Sequence, residues 1–512
     1  MNTRSKSYRS ALAMLALALA AGGAFSTRAG AQDAPAAPAQ TEAAPAAPAP
    51  EAQIWTGDIM LPGGMKLEFI AELTPGAEGA HTGVLSIPSQ GAEDEPLRDV
   101  VLTDELVKFT LAPQGAPPHA WAIFTVNLKE GGEVDSASML QLGQTFELKV
   151  RRAAKGEDPA ADARPQVPKP PYPYSQRELS LVNGADGTRL VGTLVIPGKP
   201  AEGELVASKR HPAVILITGS GPQDRDETVA GHKPFLVIAD HLARNGIASF
   251  RMDDRGVGGS TGDLFESSVY DLASDIQTAY QALRVQPDID PNRIGLLGHS
   301  EGGTLAPIVA TDVPEIRFMV LMAATGVPGR EVMTHQAGLI MKATGASDEA
   351  IEAQTKAHRA LMDALTTGAD SDTIEALIRT LVEAQAQGQE ITPNQMSQIV
   401  ASQKAGLTSP WLLSFLIYDP RVKLSSVRCS VLAINGELDL QVDPDQNLVE
   451  IERVLREGGA TDVTTKRFEG LNHLFQPCET GSPSEYANIR TTIDPAVLDL
   501  ITTWIRSHTG LE

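Results

Sequence analysis

Apolar residues fall into three rhythms along this chain, each in its own stretch. Between residues 54 and 152 the rhythm is two: Leu67, Phe69, Ala71 and Leu73 alternate with other residues, and similar short pieces recur at 65–73, 82–87, 106–111, 120–128 and 145–150 between Gly and Pro turns. That alternation buries one face of a strand, so the stretch predicts a small antiparallel β-sheet or barrel. From 175 to 512 continuous apolar runs take over at 213–218, 247–252, 294–297, 318–322 and 430–434, with a helical pattern at 270–283 and a hairpin at 178–196. Strands buried on both faces and alternating with helices predict an α/β fold with a mainly parallel sheet. The third rhythm is helical and fills 331–415, where Met333, Ala337, Ile340 and Met341, then Ile374, Leu377, Ile378 and Leu381, recur at helical spacing. Thr392-Pro393-Asn394-Gln395 is a helix start of capping-box type. The prediction is an all-helical cap inserted between the sixth and seventh strands of the sheet.

The remaining residues connect or target. Residues 1–31 carry Arg4, Lys6 and Arg9, a short apolar run at 11–21 and a small-residue end at Ala29-Gly30-Ala31, the pattern of a secretory signal peptide. The run is too short to span a bilayer, so the expectation is a secreted or periplasmic protein without a transmembrane anchor in the mature chain. Residues 32–53 are Ala/Pro-rich and predict an extended linker, and 153–174 form a second, Pro-rich one. The formal net charge of −22 excludes a nucleic-acid partner held through phosphates, because no basic run supplies the counter-charge. Export permits a disulfide between the two cysteines, Cys429 and Cys478, although one opens a strand and the other lies in a late loop.

Candidate chemistry concentrates where strands end, which is where ligands bind in such sheets. Gly298-His299-Ser300-Glu301-Gly302-Gly303 puts a G-x-S-x-G between an apolar strand and a helix, the setting of a nucleophile turn at Ser300. Serine needs a base, and the base needs an acid to fix its tautomer. Two histidines follow the strand at 430–434: His508 in the terminal helix and His473 in a loop after another strand. His473 is therefore the expected base. Asp439 is the expected acid, with Glu437 the alternative, both in the turn after that strand. An oxyanion hole would take the backbone N–H of Glu301 and one from the Thr218-Gly219-Ser220-Gly221 loop, with Ser220 the expected donor and Gly219 or Gly221 close behind it. The Glu301 side chain has three readings: repulsion of anionic substrates, a bond to a polar group, or solvation at a helix start. Asp253, Asp254 and Arg255 predict a buried ion pair supporting the turn after the fourth strand. Asp224, Arg225, Asp226 and His232 are either pocket-lining or solvated loop residues. No metal, nucleotide or dinucleotide motif stands in the chain, so no cofactor is expected.

The segments GSGPQDRDE (219–227), DDRGVGGSTGD (253–263), GHSEGG (298–303), NGELDLQV (435–442) and GLNHLF (470–475) resemble the α/β-hydrolase superfamily, and within it the secreted bacterial serine esterases with an N-terminal β domain. The resemblance implies a hydrolase of carboxylic esters with a Ser300-His473-Asp439 triad, an acyl-enzyme, Ser220 and Glu301 at the oxyanion, and the helical insertion as a cap. Thr218 stands where many relatives carry histidine. A peptidase or thioesterase of the same fold, or a binding protein on a hydrolase scaffold, are the competing readings. The expected partner is a small-molecule acyl substrate.

Overall fold

In a computed structural model the chain is described at residues 52–60, 66–76, 80–87, 92–112, 121–141, 144–154, 164–198, 210–386 and 391–511. The signal peptide at 1–31, all but the last two residues of the 32–53 linker, and residues 155–163 of the Pro-rich join lie outside the described residues. The described chain divides into two compact units, with the boundary after Arg164 and a short excursion at Val229–Gly231.

The first unit is a closed antiparallel barrel of eight strands: β1 (Gln53–Met60), β2 (Lys66–Thr74), β3 (Thr82–Ile87), β4 (Ala92–Leu102), β5 (Leu106–Leu111), β6 (Ala122–Leu128), β7 (Val134–Gln141) and β8 (Gln144–Arg152). Pairing of β1 with both β2 and β8 closes the ring and leaves no sheet edge exposed. Inward positions pack Trp55, Phe69, Phe109 and Phe124, with the Phe109 and Phe124 rings stacked at 4.8 Å. Five strands follow the predicted alternation. The other three escape it: β1 begins inside the linker composition, β4 is charged, carries Pro96 and slips register between Arg98 and Val101, and β7 is largely polar.

The second unit carries a sheet of eight strands. These are β9 (Tyr174–Val182), β10 (Arg189–Pro197), β11 (His211–Ile217), β12 (Ala248–Met252), β13 (Ile289–His299), β14 (Phe318–Met322), β15 (Ser430–Gly436) and β16 (Val463–Phe468). The spatial order is β16-β15-β14-β13-β11-β12-β10-β9. The β9–β10 hairpin is antiparallel, and the six strands from β12 across to β16 are parallel. From β11 the chain goes to β12 on one side and returns to β13 on the other, so a crevice opens beyond the ends of β11 and β13.

Helices cover both faces. One face buries α1 (Pro234–Arg244) and the terminal helix α11 (Pro495–Thr509). The other buries α2 (Val269–Leu283), α3 (Glu301–Asp312) and α10 (Leu448–Glu457). The insertion between β14 and β15 is all helical: α4 (Gly329–Ala343), α5 (Asp348–Thr367), α6 (Ser371–Ala386), α7 (Pro393–Leu407), α8 (Pro410–Ile417) and α9 (Pro420–Leu424). The expected capping box is present, with the Thr392 side chain accepting from the Gln395 N–H.

Two expectations need correction. Asp253, Asp254 and Arg255 do not pair with one another: Asp253 binds Arg225 at 2.7 Å, Arg255 binds Asp275 at 2.6 Å, and Asp254 accepts from the Thr218 hydroxyl at 2.7 Å. In the 224–232 segment Asp224, Arg225 and Asp226 are partly exposed but bonded, and neither they nor His232 line the cleft behind the Ser300 turn. Arg225 is bound to Asp253, Asp226 to the buried Arg251, and His232 is fully buried between Thr492 and the Tyr486 carbonyl. Cys429 and Cys478 are free thiols, in keeping with their places at a strand start and in a late loop.

Candidate active site

Ser300 stands between β13 and α3 with φ 53° and ψ −118°, a backbone conformation that side chains other than glycine rarely adopt. Its neighbours make the bend feasible. A Cβ on Gly298 would lie 2.2 Å from the Gly302 carbonyl oxygen, and one on Gly302 would lie 2.1 Å from the Ile217 carbonyl oxygen. Glycine at 298 and 302 thus lets α3 start directly against the ends of β11 and β13. The Ser300 N–H is spent on the Met322 carbonyl at 2.9 Å, which pins the turn to β14.

Asp439 and His473 meet at the neighbouring strand ends. His473 Nδ1 lies 2.8 Å from Asp439 Oδ2, and neither side chain is exposed beyond 6%. Asp439 is held on every side: Oδ1 accepts from the N–H groups of Gln441 and Val442, and Oδ2 also accepts from the Asn435 amide. Such a carboxylate orients an imidazole and fixes its tautomer. The His473 loop is fixed by Asn472, whose side-chain oxygen accepts from the N–H groups of Leu474 and Gln476. Glu437 points outward and accepts from the Gly470 N–H at 3.2 Å. His508 is remote from these residues in sequence and bonding: it stacks on Trp504 and pairs with Asp462.

The candidate oxyanion residues divide. Glu301 is the first residue of α3, so its N–H has no partner within the helix. The Gly219 N–H is occupied, donating to Glu227 Oε1 at 2.8 Å, whereas Ser220 is exposed on the same loop. The occupied N–H sets Gly219 apart from Ser220 as an oxyanion donor.

The Glu301 side chain is not solvated, which corrects one of its readings. It is 2% exposed and accepts from the Trp411 indole N–H at 2.9 and 3.2 Å, and from the Ser220 hydroxyl. Burial pushes its carboxyl up to about 7, against the pull of those two hydrogen bonds. Burial likewise raises Asp254 well above the usual carboxylate range, although Thr218 and Gln223 donate to it. A cleft lined by Thr218, Gly219, Asp254, Glu301 and Leu305 runs behind the turn, and Ser300 and His473 are not among its lining residues. Among the described residues no group of three or more His, Cys, Asp or Glu side chains is placed to hold a metal ion.

Three residues beside the site were not singled out from the sequence: Glu227, His299 and Trp411. His299 Nδ1 lies 2.9 Å from Glu227 Oε1, and Trp411 reaches Glu301 from α8 of the cap. The signals were faint. His299 fills the variable place of G-x-S-x-G, and Trp411 is one of four tryptophans in the chain.

The parallel sheet, the strand-turn-helix at Ser300 and the cap after the sixth strand define an α/β-hydrolase, and the chain belongs to that superfamily, with an all-β barrel domain before the hydrolase domain. It is a hydrolase. The serine aminopeptidase S33 family profile matches residues 233–385. Esterase EstD of Thermotoga maritima is 25% identical over 388 residues, covering 75% of this chain and 80% of that one. Among solved structures, an esterase of Pyrococcus furiosus is similar over 66% of this chain and 92% of its own, at 12% identity and a TM-score of 0.39. A puromycin-hydrolysing peptidase of Mycobacterium tuberculosis is similar over 87% of this chain and 54% of its own, at 14% identity and a TM-score of 0.40.

Proposed function

We propose that the protein is a serine hydrolase of carboxylic esters. His473 Nε2 takes the Ser300 hydroxyl proton as Oγ attacks the acyl carbon, and Asp439 holds His473 in the tautomer that leaves Nε2 free to accept. The oxyanion draws on the N–H groups of Glu301 and Ser220. Collapse expels the alcohol, which takes the proton from His473. Water, deprotonated by the same imidazole, then attacks the acyl-Ser300 ester; collapse of the second intermediate releases the carboxylic acid and restores the serine. The observation that carries the reading is the buried 2.8 Å contact of His473 with Asp439, with the His473 ring 4.8 Å from that of His299, the residue before a Ser300 held at φ 53°. The name of the Thermotoga relative, an esterase, agrees with it.

A peptidase reading draws on the description of the matched family, a serine aminopeptidase. Aminopeptidase action calls for an acid to anchor the substrate amine, and Glu301 is the acid that follows the nucleophile in the chain. Its carboxylate is already bound to Trp411 and Ser220 and is buried, which favours the ester reading. The leader pattern of residues 1–31 supports action after export, in the periplasm or outside the cell. Among the described residues no helix is long and apolar enough to cross a membrane. The test compares p-nitrophenyl acyl esters of increasing chain length with acyl thioesters and amino-acid anilides, using Ser300→Ala as background. Ester turnover above that background with little on anilides is expected; the reverse preference would overturn the ester assignment.

A further inference from the structure

Two buried side chains that this chemistry leaves unused lie directly behind it. Glu227, on the loop after β11, is 2% exposed at φ 55°, and His299, the last residue of β13, is 5% exposed. Glu227 Oε1 accepts twice, from the Gly219 N–H at 2.8 Å and from His299 Nδ1 at 2.9 Å. The other ring nitrogen of His299, Nε2, lies 3.1 Å from the carbonyl oxygen of His473, and the two imidazoles stand 4.8 Å apart. The carbonyl at Nε2 and the carboxyl at Nδ1 both favour a proton on the nitrogen they face. Burial opposes a charge on the ring, but Glu227 and the His473 carbonyl outweigh it and raise the proton affinity of His299. The loop bearing Glu227 is itself fastened on both sides, Arg225 to Asp253 and Asp226 to Arg251.

We propose that Glu227 and His299 are positioning residues: a carboxyl–imidazole strut that ties the oxyanion loop at Gly219 to the base loop at His473. This rests on the reading of Ser300, His473 and Asp439 given above. One end of the strut is a backbone N–H and the other a backbone carbonyl, so what it fixes is the spacing of two loops across which the reaction runs. Misplacing either costs rate rather than binding. The titratable groups around His473 and Asp439 are His299 and Glu227 on one side and Tyr486 and Cys478 toward Asp439. Glu227 leaves its second oxygen, Oε2, without a hydrogen-bond partner among the described residues. A buried anion so incompletely bonded is a cost to stability, which argues that its use lies elsewhere.

The test is made on the full chain with two variants. His299→Asn keeps an amide toward Glu227 and removes the donor to the His473 carbonyl, while Glu227→Gln keeps an acceptor for Gly219 and removes the charge. Turnover of a p-nitrophenyl ester is expressed per site titrated with a fluorophosphonate. His299→Asn should lower kcat about tenfold or more with KM within about twofold. Glu227→Gln should lower kcat by about threefold or more at unchanged KM. A merely structural strut would reduce the number of titratable sites and leave per-site kcat where the wild type has it, and that result overturns the proposal. Should His299→Asn give no titratable enzyme, Glu227→Gln decides alone: the loss in kcat supports the strut, and wild-type kcat overturns it. Turnover retained by Ser300→Ala is a different failure, since it removes the Ser300 reading and the strut with it.

Discussion

Glu301 combines two demands at one position. Its backbone opens α3 beside Ser300, and its carboxyl is buried under Trp411 and Ser220. Raised to about 7 from an ordinary 4.5, the carboxyl holds its proton in the folded chain after the unfolded chain has lost it. Below about pH 4.5 both states are protonated and the shift has no effect; between about 4.5 and 7 only the unfolded state ionises, so stability falls as pH rises through that window. The loss should total about 3 kcal/mol, and Glu301→Gln, which cannot ionise, should not show it. Chemical denaturation of both proteins across pH 4 to 8 measures the difference. The sequence could not reveal this, because Trp411 is 110 residues away, and the Glu227–His299 pair spans 72. What it did reveal at this scale was local: Gly298 and Gly302 are demanded by close backbone approach within a few residues of Ser300, and that demand is written in the motif itself.

Among elements, the cap helix α8 meets the nucleophile helix α3 through one side chain. Trp411 donates to Glu301 and sets its ring edge-on to Phe265 at 5.8 Å. Trp411→Phe keeps most of the ring and removes the donor, so it should cost about 1.5–3 kcal/mol at pH 8, where the carboxyl is charged, and less at pH 5, where it is protonated. Denaturant titration at the two pH values checks this, and equal costs would mean that the hydrogen bond contributes nothing special to the charged form. Element legibility follows burial. Strands β3 and β5 were predicted to the residue from short apolar pieces bounded by turn residues, and the buried runs of β11, β14 and β15 stood out as apolar blocks. β4 and β7 were illegible because barrel closure, not their own apolar content, recruits them.

At the scale of the whole chain, the barrel and the hydrolase unit each enclose their own core. Each candidate site residue lies between 219 and 473, so none comes from the barrel strands. Phe124 is fully buried at the centre of the barrel, and Phe124→Ala should destabilise that unit by about 3–5 kcal/mol. Turnover at a temperature where the variant stays folded should equal the wild type, measured with the same short-chain ester; a large fall in kcat would give the barrel a part in catalysis. The net charge of −22 speaks against partners held through phosphates and leaves the acyl substrate unspecified, since specificity in this superfamily resides in pocket and cap.

The central claim is that Ser300 is the nucleophile. It is tested most directly by treating the full chain with a fluorophosphonate and locating the adduct by peptide mass spectrometry. One phosphonyl group on Ser300, loss of turnover in step with labelling, and neither labelling nor turnover in Ser300→Ala are the predicted results. An adduct on another residue, or turnover by Ser300→Ala at the wild-type rate, would contradict the claim.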